Sequence, residues 1–554
     1  MDNAKLAELL FPDTVKTPDY YEEKFPYRKL PAKAQVTRMA PSPTGFIHLG
    51  NLYSALADER IAHRNGGVFY LRIEDTDEKR KVDGAVETII NVLRYFDIEF
   101  DEGAGFDDDA PQNAYGPYFQ RQRVEIYHAY AKSLVERGLA YPCFCGEEEL
   151  EKVRVRQEEA KVLTGYYGEY ALCRSLTLEE IERKLSAGES YVLRLRSQGR
   201  QGREITFNDS IMGEIKLPEN IHDIVLLKRD GVPTYHFAHA VDDHLMRTTT
   251  VIRGGEWLAS VPTHYELFHV LGFKMPAYGH TAHLMKFDEE TGGKRKLSKR
   301  KDPELSLDYY RRDGYHPRSM KVYLMTLLNS NFEEWYEKFP DKDISEFPFT
   351  VEKMSQSGAL FDKDKLHNIC KNELAKLSEE EMYAFLEEWA RENEPDKARI
   401  WFADKEKLLA ILRLYMGIGM KRRRKDFVYA RQIFELIGYF FDTDKAEKGD
   451  GFRLDADTVS ALLRDYLDSY CHEDDNGAWF DKLKGIADRH GFASDMKAYK
   501  ANPEAFGGSI SDVAEVIRVA VTKTANTPDL WSIIHIIGEE AMREKINGAI
   551  SKGK

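Results

Sequence analysis

The chain has 554 residues, 42% hydrophobic and 31% charged, an ordinary composition for a soluble globular protein and a length that calls for several domains. No apolar run approaches membrane-spanning length, and residues 1–33 lack the apolar core of a signal peptide, so no membrane partner is expected and the cytoplasm is the expected compartment. A net charge of −14 argues against loose, whole-surface binding of nucleic acid, and five cysteines are too few for a disulfide framework.

Residues 1–33 carry Tyr20, Tyr21, Phe25 and Tyr27, aromatic anchors for packing on the body that follows. A short strand through Val36 and Thr37 then enters the stretch Arg38-Met39-Ala40-Pro41-Ser42-Pro43-Thr44-Gly45-Phe46-Ile47-His48-Leu49-Gly50-Asn51. Its prolines fix the turn, and Gly50 lets a ligand lie on the backbone. The helix expected from Asn51 points free amide groups and a positive dipole end into that turn, and His48 adds a donor, which together make a cradle for a triphosphate.

His48-Leu49-Gly50-Asn51 resembles the HIGH signature of class I aminoacyl-tRNA synthetases. The run from Arg38 to Gly45 resembles the R-x-A-P-S-P-T-G of bacterial-type glutamyl-tRNA synthetases. Against that family the extension 1–33 is a departure, because the family usually begins a few residues before the arginine.

The helix ends at Gly66-Gly67, and the nearly continuous apolar run 68–73 reads as a strand covered on both faces, completing a βαβ unit. It leads into Glu74-Asp75-Thr76-Asp77, similar to the family's R-I-E-D-T-D and placed at the carboxyl end of a strand, where such sheets bind ligands. A helix over 121–138 precedes Cys143 and Cys145, and Cys173 follows 28 positions after Cys145. These thiols read either as zinc ligands or as reduced structural cysteines; the fourth ligand stays open, with Tyr167 and Tyr170 nearby, Tyr170 taken as the candidate, and Ser175 where a histidine would serve. Residues 224–235 read as a hairpin on an Asp-Gly turn.

Tyr235 to His244 resembles the family's Y-H-x-A-N-V-V-D-D-H, with His239 in place of the asparagine, and Gly255 stands where the family often has an acid. Strands are expected over 248–252 and 281–287, and a helix over 258–271. Lys296-Leu297-Ser298-Lys299-Arg300 resembles KMSKS in its K-x-S-K-R form. Lys353-Met354-Ser355-Gln356-Ser357 looks closer by eye but has glutamine for the second lysine and runs into a segment resembling the family's S-G-A-x-F-D. From about residue 351 the periodicity is helical, as over 405–416, 427–441 and 458–470. The basic runs 294–301 and 421–425 read by themselves as solvated faces.

The resemblance implies an α/β Rossmann-type catalytic domain with an acceptor-stem-binding insertion, followed by an all-helical anticodon-binding region. The implied segments are 1–33, an N-terminal extension; 34–114 and 232–293, the two catalytic halves; 115–231, the insertion with the thiols; 294–350, the KMSKS loop and a stem-contact domain; and 351–554, the helical region. It also implies a glutamate--tRNA ligase working as a monomer on L-glutamate, tRNA(Glu), ATP and Mg2+, with Zn2+ if the thiols hold metal. It places His48, Lys296 and Lys299 in catalysis. Ser42, Thr44, His48, Gly50, Asn51, Glu256, Trp257, Leu284, Met285 and Lys299 fall to ATP, and Arg38, Ala40, Ser42, Glu74, Tyr235, His239 and Arg253 to glutamate.

Pro41-Ser42-Pro43-Thr44-Gly45 argues against a glutaminyl enzyme, and the helical region against the shortened paralogue that glutamylates a tRNA base. The three catalytic side chains argue against a non-catalytic RNA-binding protein. Whether tRNA(Gln) is also charged stays open.

Lys299 faces the departing phosphates in this reading, so Lys299→Ala is expected to slow activation by about 10²-fold or more, as for a lost charge-stabilising donor, with glutamate binding little changed. Lys353→Ala is expected to match the parent in the same pyrophosphate-exchange assay. Near-parental turnover of Lys299→Ala would remove the loop from the reaction.

Overall fold

The computed structural model describes the chain apart from residues 1, 44–46, 81, 108–109, 289, 299, 357, 442–450 and 553–554. It divides into two compact units, Met1–Arg311 with Lys321–Asp362, and Arg312–Met320 with Lys363–Lys554. Thr44, Gly45, Phe46 and Lys299 lie outside the described residues.

The first unit begins with two helices, α1 (Asn3–Leu10) and α2 (Pro18–Lys24), capped by Asp2 and Thr17, whose side chains accept the Lys5 and Tyr20 amides. The first parallel unit follows: β1 (Val36–Met39), α3 (Leu49–His63) and β2 (Val68–Leu71). The strand runs two residues further than expected and the helix starts two residues earlier, because the His48 amide is already satisfied by the Asn51 carboxamide at 2.9 Å. Between α3 and β2, Gly66 takes a φ of +67°, and a side chain on Gly67 would meet the Gln35 carbonyl at 1.9 Å. That approach lets β2 register on β1 as Val36↔Val68 through Met39↔Leu71.

After α4 (Ala85–Tyr95), the short β3 (Glu102–Gly103) joins the far side of β2, giving the parallel order β1-β2-β3. The chain then leaves the sheet. It forms α5 (Val124–Glu136), β4 (Ala140–Cys143), α6 (Glu147–Glu159), α7 (Leu178–Ser186) and β5 (Val192–Leu195), then the hairpin of β6 (Glu204–Asp209) and β7 (Gly213–Pro218), and then β8 (Val225–Leu227). β4, β5 and β8 make a separate antiparallel sheet.

The chain re-enters through α8 (Tyr235–Leu245), β9 (Thr250–Gly254), α9 (Val261–Leu271) and β10 (Ala277–Thr281). β9 and β10 pair in parallel, and the Thr249 amide donates to the Val36 carbonyl at 2.9 Å on the free edge of β1. The strand order therefore runs outward in both directions from the seam between β1 and β9. Ligands bind outside the carboxyl ends of such a seam. The single strand expected over 281–287 is broken at residues 282–283 into β10 and β11 (Leu284–Phe287). β11 belongs to another small sheet, antiparallel to β12 (Lys294–Lys296) and parallel to β13 (Ala359–Leu360).

The second unit carries no β-strand among its described residues. Its helices include Glu379–Asn393, Lys405–Met416, Ala430–Ile437, Ala456–Ser469, Asn476–Arg489 and Ile510–Thr522, and they share one apolar core. The buried Trp401 stacks on Phe434 and Phe441 at 4.2 and 4.6 Å. The basic run 421–425 is a loop beyond Gly417, which ends Lys405–Met416 at a φ of 64°, and all its side chains except Arg424 are exposed. Among the described residues no helix is long and apolar enough to cross a membrane.

Candidate functional site

A cavity of about 1260 Å³ opens at the seam between β1 and β9. Its walls come from the carboxyl ends of four parallel strands. β1 supplies Arg38 to Ser42, the loop after β2 supplies Glu74, the end of β9 supplies Arg253 and Gly254, and the end of β10 supplies Thr281 to His283. The start of α3 adds His48, Gly50 and Asn51, α8 adds Tyr235 and His236, and β11 and β12 add Leu284 and Lys296.

The structure thus brings together thirteen of the residues singled out in the sequence: Arg38, Ala40, Ser42, His48, Gly50, Asn51, Glu74, Tyr235, Arg253, Glu256, Trp257, Leu284 and Lys296. Two others are placed elsewhere. His239 is fully buried behind the wall, its Nε2 2.7 Å from the Tyr278 hydroxyl, because it lies one turn further along α8 than Tyr235, whose ring stacks on it. Met285 pairs with Lys296 across β11 and β12 and does not line the cavity.

At the end of the cavity formed by the start of α3, His48 caps the helix, and burial lowers its pKa, with Glu256 opposing and Lys296 adding to the effect. The imidazole is therefore neutral at pH 7 and able to donate one hydrogen bond. Gly50 leaves the His48 ring room, since a Cβ there would meet Nδ1 at 3.0 Å. Lys296, exposed at the end of β12, enters a loop held by Asp302. That carboxylate accepts from both Arg295 terminal nitrogens at 2.6 and 2.7 Å and from the Ser298 amide at 2.8 Å, and Arg295 holds its pKa down at about 2.

At the other end, cations and acids from distant parts of the chain interlock. Arg38, 5% exposed, lies 3.5 Å from Asp243, and the fully buried Arg72 donates to Asp243 at 2.7 Å and to Glu74 at 3.2 Å. Asp242, next in sequence, takes Arg123 at 2.7 Å, the Tyr127 hydroxyl at 2.7 Å and the Gln120 amide at 3.0 Å. Burial pushes the Glu74 carboxyl up to about 7, against the pull of Arg72 and Arg38. Arg253 differs from Arg38 and Arg72, for its partners are His280, His264 and the Trp257 carbonyl at 2.9, 3.1 and 3.3 Å. Tyr235 closes this end, its ring 4.6 Å from Trp257.

A second cluster lies in the segment that leaves the sheet. Cys143, at the end of β4, Cys145, and Cys173 are buried, with sulfurs all within 4.8 Å of one another. The Tyr166 hydroxyl lies 3.3 and 3.4 Å from the Cys143 and Cys145 sulfurs and accepts the Cys173 amide at 2.9 Å. Tyr170 packs instead against Tyr167 and Arg156. Hydrogen bonds from Cys145 and Cys173 pull the Cys143 thiol well below its usual range. Thiolates 2.3 Å from a tetrahedral zinc stand about 3.8 Å apart, and Cys145 and Cys173 stand at 3.6 Å, so the cluster fits that ion.

Reading the sequence missed His264, His280 and Tyr166, and it quoted Asp242-Asp243 without assigning them a task. Two adjacent acids inside a largely apolar helix do signal buried counter-charges, but spacing alone does not say which arginines answer them.

Residues 35–368 match the family model for tRNA synthetases class I (E and Q), catalytic domain, and residues 381–550 match an anticodon binding domain. A glutamate--tRNA ligase of Acetivibrio thermocellus is 52% identical over 552 residues, covering 99% of both chains, so the N-terminal extension is shared with it. One from Clostridium perfringens is 45% identical over 99% of this chain and 100% of its own. Among solved structures, a glutamate tRNA ligase from Elizabethkingia meningosepticum in complex with its amino acid superposes with a TM-score of 0.72 at 27% identity, over 94% of this chain and 100% of that one.

The Glu74 carboxyl binds its proton more tightly folded, at about 7, than at its ordinary 4.5. Its contribution to stability is thus full below pH 4.5 and is lost as pH rises through 7. Glu74→Gln lacks that loss. Its melting temperature is expected to gain on the parent's between pH 5 and pH 8, and a difference that shrinks with pH would contradict the raised value.

Proposed function

The chain belongs to the glutamate--tRNA ligase family, class I synthetases with a catalytic domain and an anticodon-binding domain, and on that premise we propose how its residues divide the work. In the family's reaction an α-carboxylate oxygen of glutamate bonds to the α-phosphorus of ATP. The bond from that phosphorus to the bridging oxygen breaks, and pyrophosphate leaves with the electron pair. A hydroxyl of the terminal adenosine of tRNA then attacks the acyl carbon, and AMP departs.

A carboxylate is already a nucleophile, so the site must align two reactants and spread charge at phosphorus. His48, neutral, donates to the phosphates from the mouth of α3, beside the helix's free amides and Asn51. Lys296 approaches from the opposite loop. A lysine follows phosphate as it leaves because its charge sits on a flexible stem, and by its motif Lys299 takes the same part. Ser42, Gly50, Trp257 and Leu284 complete the nucleotide's walls, and by its motif Thr44 belongs with them. Class I synthetases use ATP with Mg2+, which shares the neutralisation, and Glu256 supplies the carboxylate such an ion would take.

The amino acid fits the other end. Arg38 and Arg253, from neighbouring strand ends, meet the side-chain carboxylate, and Tyr235 adds a hydrogen bond. Glu74 receives the α-ammonium, whose charge would draw its proton off. Glutamine is rejected because its amide leaves a buried guanidinium without counter-charge.

The three thiols and Tyr166 would hold zinc, and such an ion would link β4 to the turn at Cys173 in a segment assigned to the tRNA acceptor end. The basic loop 421–425, within the anticodon-binding match, meets RNA phosphates. The reading takes the single chain as the working unit and places the work in the cytoplasm with tRNA(Glu) as acceptor.

The observation that carries the reading is one cavity joining the start of α3, with His48, Gly50 and Asn51, to two buried arginines and a buried acid. Charging tRNA(Glu) and tRNA(Gln) in parallel with glutamate and glutamine tests it. Arg253→Gln is expected to raise the Michaelis constant for glutamate about 10-fold or more and to reduce discrimination against glutamine, as for a lost charged hydrogen bond. A variant that still prefers glutamate as strongly as the parent would pass the role to another residue.

Metal analysis of the purified protein is expected to find one zinc per chain, lost in Cys143→Ser and bound more weakly in Tyr166→Phe than in Tyr170→Phe. Zinc-free parent protein with normal activity and melting would leave the cluster as reduced structural cysteines.

A further inference from the structure

The cations of the cavity are held in two different ways. Arg38 and Arg72 are paired with carboxylates, whereas among the described residues no carboxylate lies within ion-pairing distance of Arg253. Its three contacts are all neutral. Nε donates to His280 Nε2 at 2.9 Å, one terminal nitrogen to His264 Nδ1 at 3.1 Å, and the other to the Trp257 carbonyl at 3.3 Å. Both histidines are fully buried.

The protons on these rings follow from the contacts. A guanidinium only donates, so His280 Nε2 and His264 Nδ1 must be bare. The His280 proton then sits on Nδ1 and goes to Asp209 Oδ2 at 2.6 Å. Asp209 is held at the end of β6 by the Ile211, Met212 and His280 amides. The His264 proton sits on Nε2 and goes to His236 Nδ1 at 3.0 Å, which leaves the His236 proton on Nε2. His236 is half-buried on the cavity wall. Two relays thus end on Arg253, one anchored in the β6–β7 hairpin and one at the cavity. Of the five donors of the guanidinium, three are used, and each terminal nitrogen keeps one N–H for a ligand.

We propose that His264 and His280 are positioning residues for Arg253, fixing its orientation as neutral acceptors so that its whole positive charge stays available to the substrate carboxylate. A carboxylate in either place would orient the guanidinium equally well but would compete with the ligand for its charge. Burial and the charge of Arg253 keep both rings neutral, as the arrangement requires. His264 is further hemmed by the His239 and Tyr235 rings at 4.4 and 5.8 Å, so it has no alternative rotamer space on that side. The inference rests on the reading of Arg253 as a glutamate-binding residue.

The test is aminoacylation of tRNA(Glu) by the full chain, reading kcat and KM for glutamate and the glutamate-to-glutamine ratio of kcat/KM, with melting temperature as the check of folding. His264→Leu removes the acceptor and is expected to raise KM about 10-fold with kcat within about twofold, the size of one hydrogen bond to a charged group. His264→Gln restores a neutral acceptor and is expected to return KM to within about threefold of the parent. His264→Glu keeps an acceptor but adds charge, and is expected to lower the glutamate-to-glutamine ratio about 100-fold, as for loss of a charge pair.

His236→Phe, at a half-buried position, reads the same relay if the His264 variants do not fold, and is expected to raise KM about threefold with kcat kept. Folded His264→Leu and His264→Glu proteins with parental KM and ratio would overturn the proposal, as would a His264→Gln protein no better than His264→Leu, or a parental His236→Phe where that variant stands in. Arg253→Gln separates the two claims. If it keeps the preference for glutamate, the reading of the pocket falls; if it loses the preference while the histidine variants do nothing, only the positioning role falls.

Discussion

Two adjacent aspartates on α8, Asp242 and Asp243, hold the catalytic unit's buried charge in place. Between them they bind Arg72, Arg123 and, at 3.5 Å, Arg38, and all of these groups are at most 5% exposed. Taking five charges out of water is costly, and breaking such a pair from one side typically costs about 3–5 kcal/mol. The web therefore does more for geometry than for net stability. It locks the end of β1, the loop after β2, the start of α5 and the middle of α8 into one arrangement, and the cavity inherits it. The N-terminal extension braces the same helix, where Glu22 meets His244 at 2.6 Å and Arg247 at 2.8 Å, and Arg28 reaches Glu102 and the Met246 carbonyl.

That web also sorts the arginines by availability. Arg72 is paired with Glu74 and Asp243 and serves as structure. Arg38 shares Asp243 and keeps part of its charge for the cavity. Arg253 is held by uncharged groups alone. Glu74 is the counterpart on the acid side, a carboxyl poised near neutrality because burial opposes its charge while two arginines favour it. A zwitterionic amino acid with a third, anionic group suits this distribution, since each of its charges meets a partner whose own pairing is incomplete.

The start of α3 was legible to within two residues because glycine after a polar residue that can cap marks a helix start for local reasons. The helix 405–416 was legible for a similar local reason, its apolar period with an aspartate cap and Gly417 at its end. His239 was misplaced because a motif gives adjacency along the chain but not depth beneath the surface. On α8, Tyr235 and His236 line the cavity, while His239, one turn on, lies behind the Tyr235 ring and meets Tyr278 in the core. Tyr170 is nearer to Cys173 along the chain, but it packs on Tyr167 and Arg156, and it is Tyr166 that reaches the sulfurs. The histidine partners of Arg253 come from α9 and β10, elements joined only by the fold, and no spacing rule links them.

The central claim is that Asp243 anchors Arg38 and Arg72, so that the end of β1 presents its guanidinium to an amino acid in a fixed orientation. Substituting Asp243→Asn keeps the shape and removes the charge that Arg38 and Arg72 share. The direct measurement is the Michaelis constant for glutamate in this variant beside that for ATP. The account predicts a rise of about 10-fold or more for glutamate, roughly 1.4 kcal/mol, with the ATP value within about twofold of the parent. Parental constants for both substrates, in a variant that folds, would contradict it.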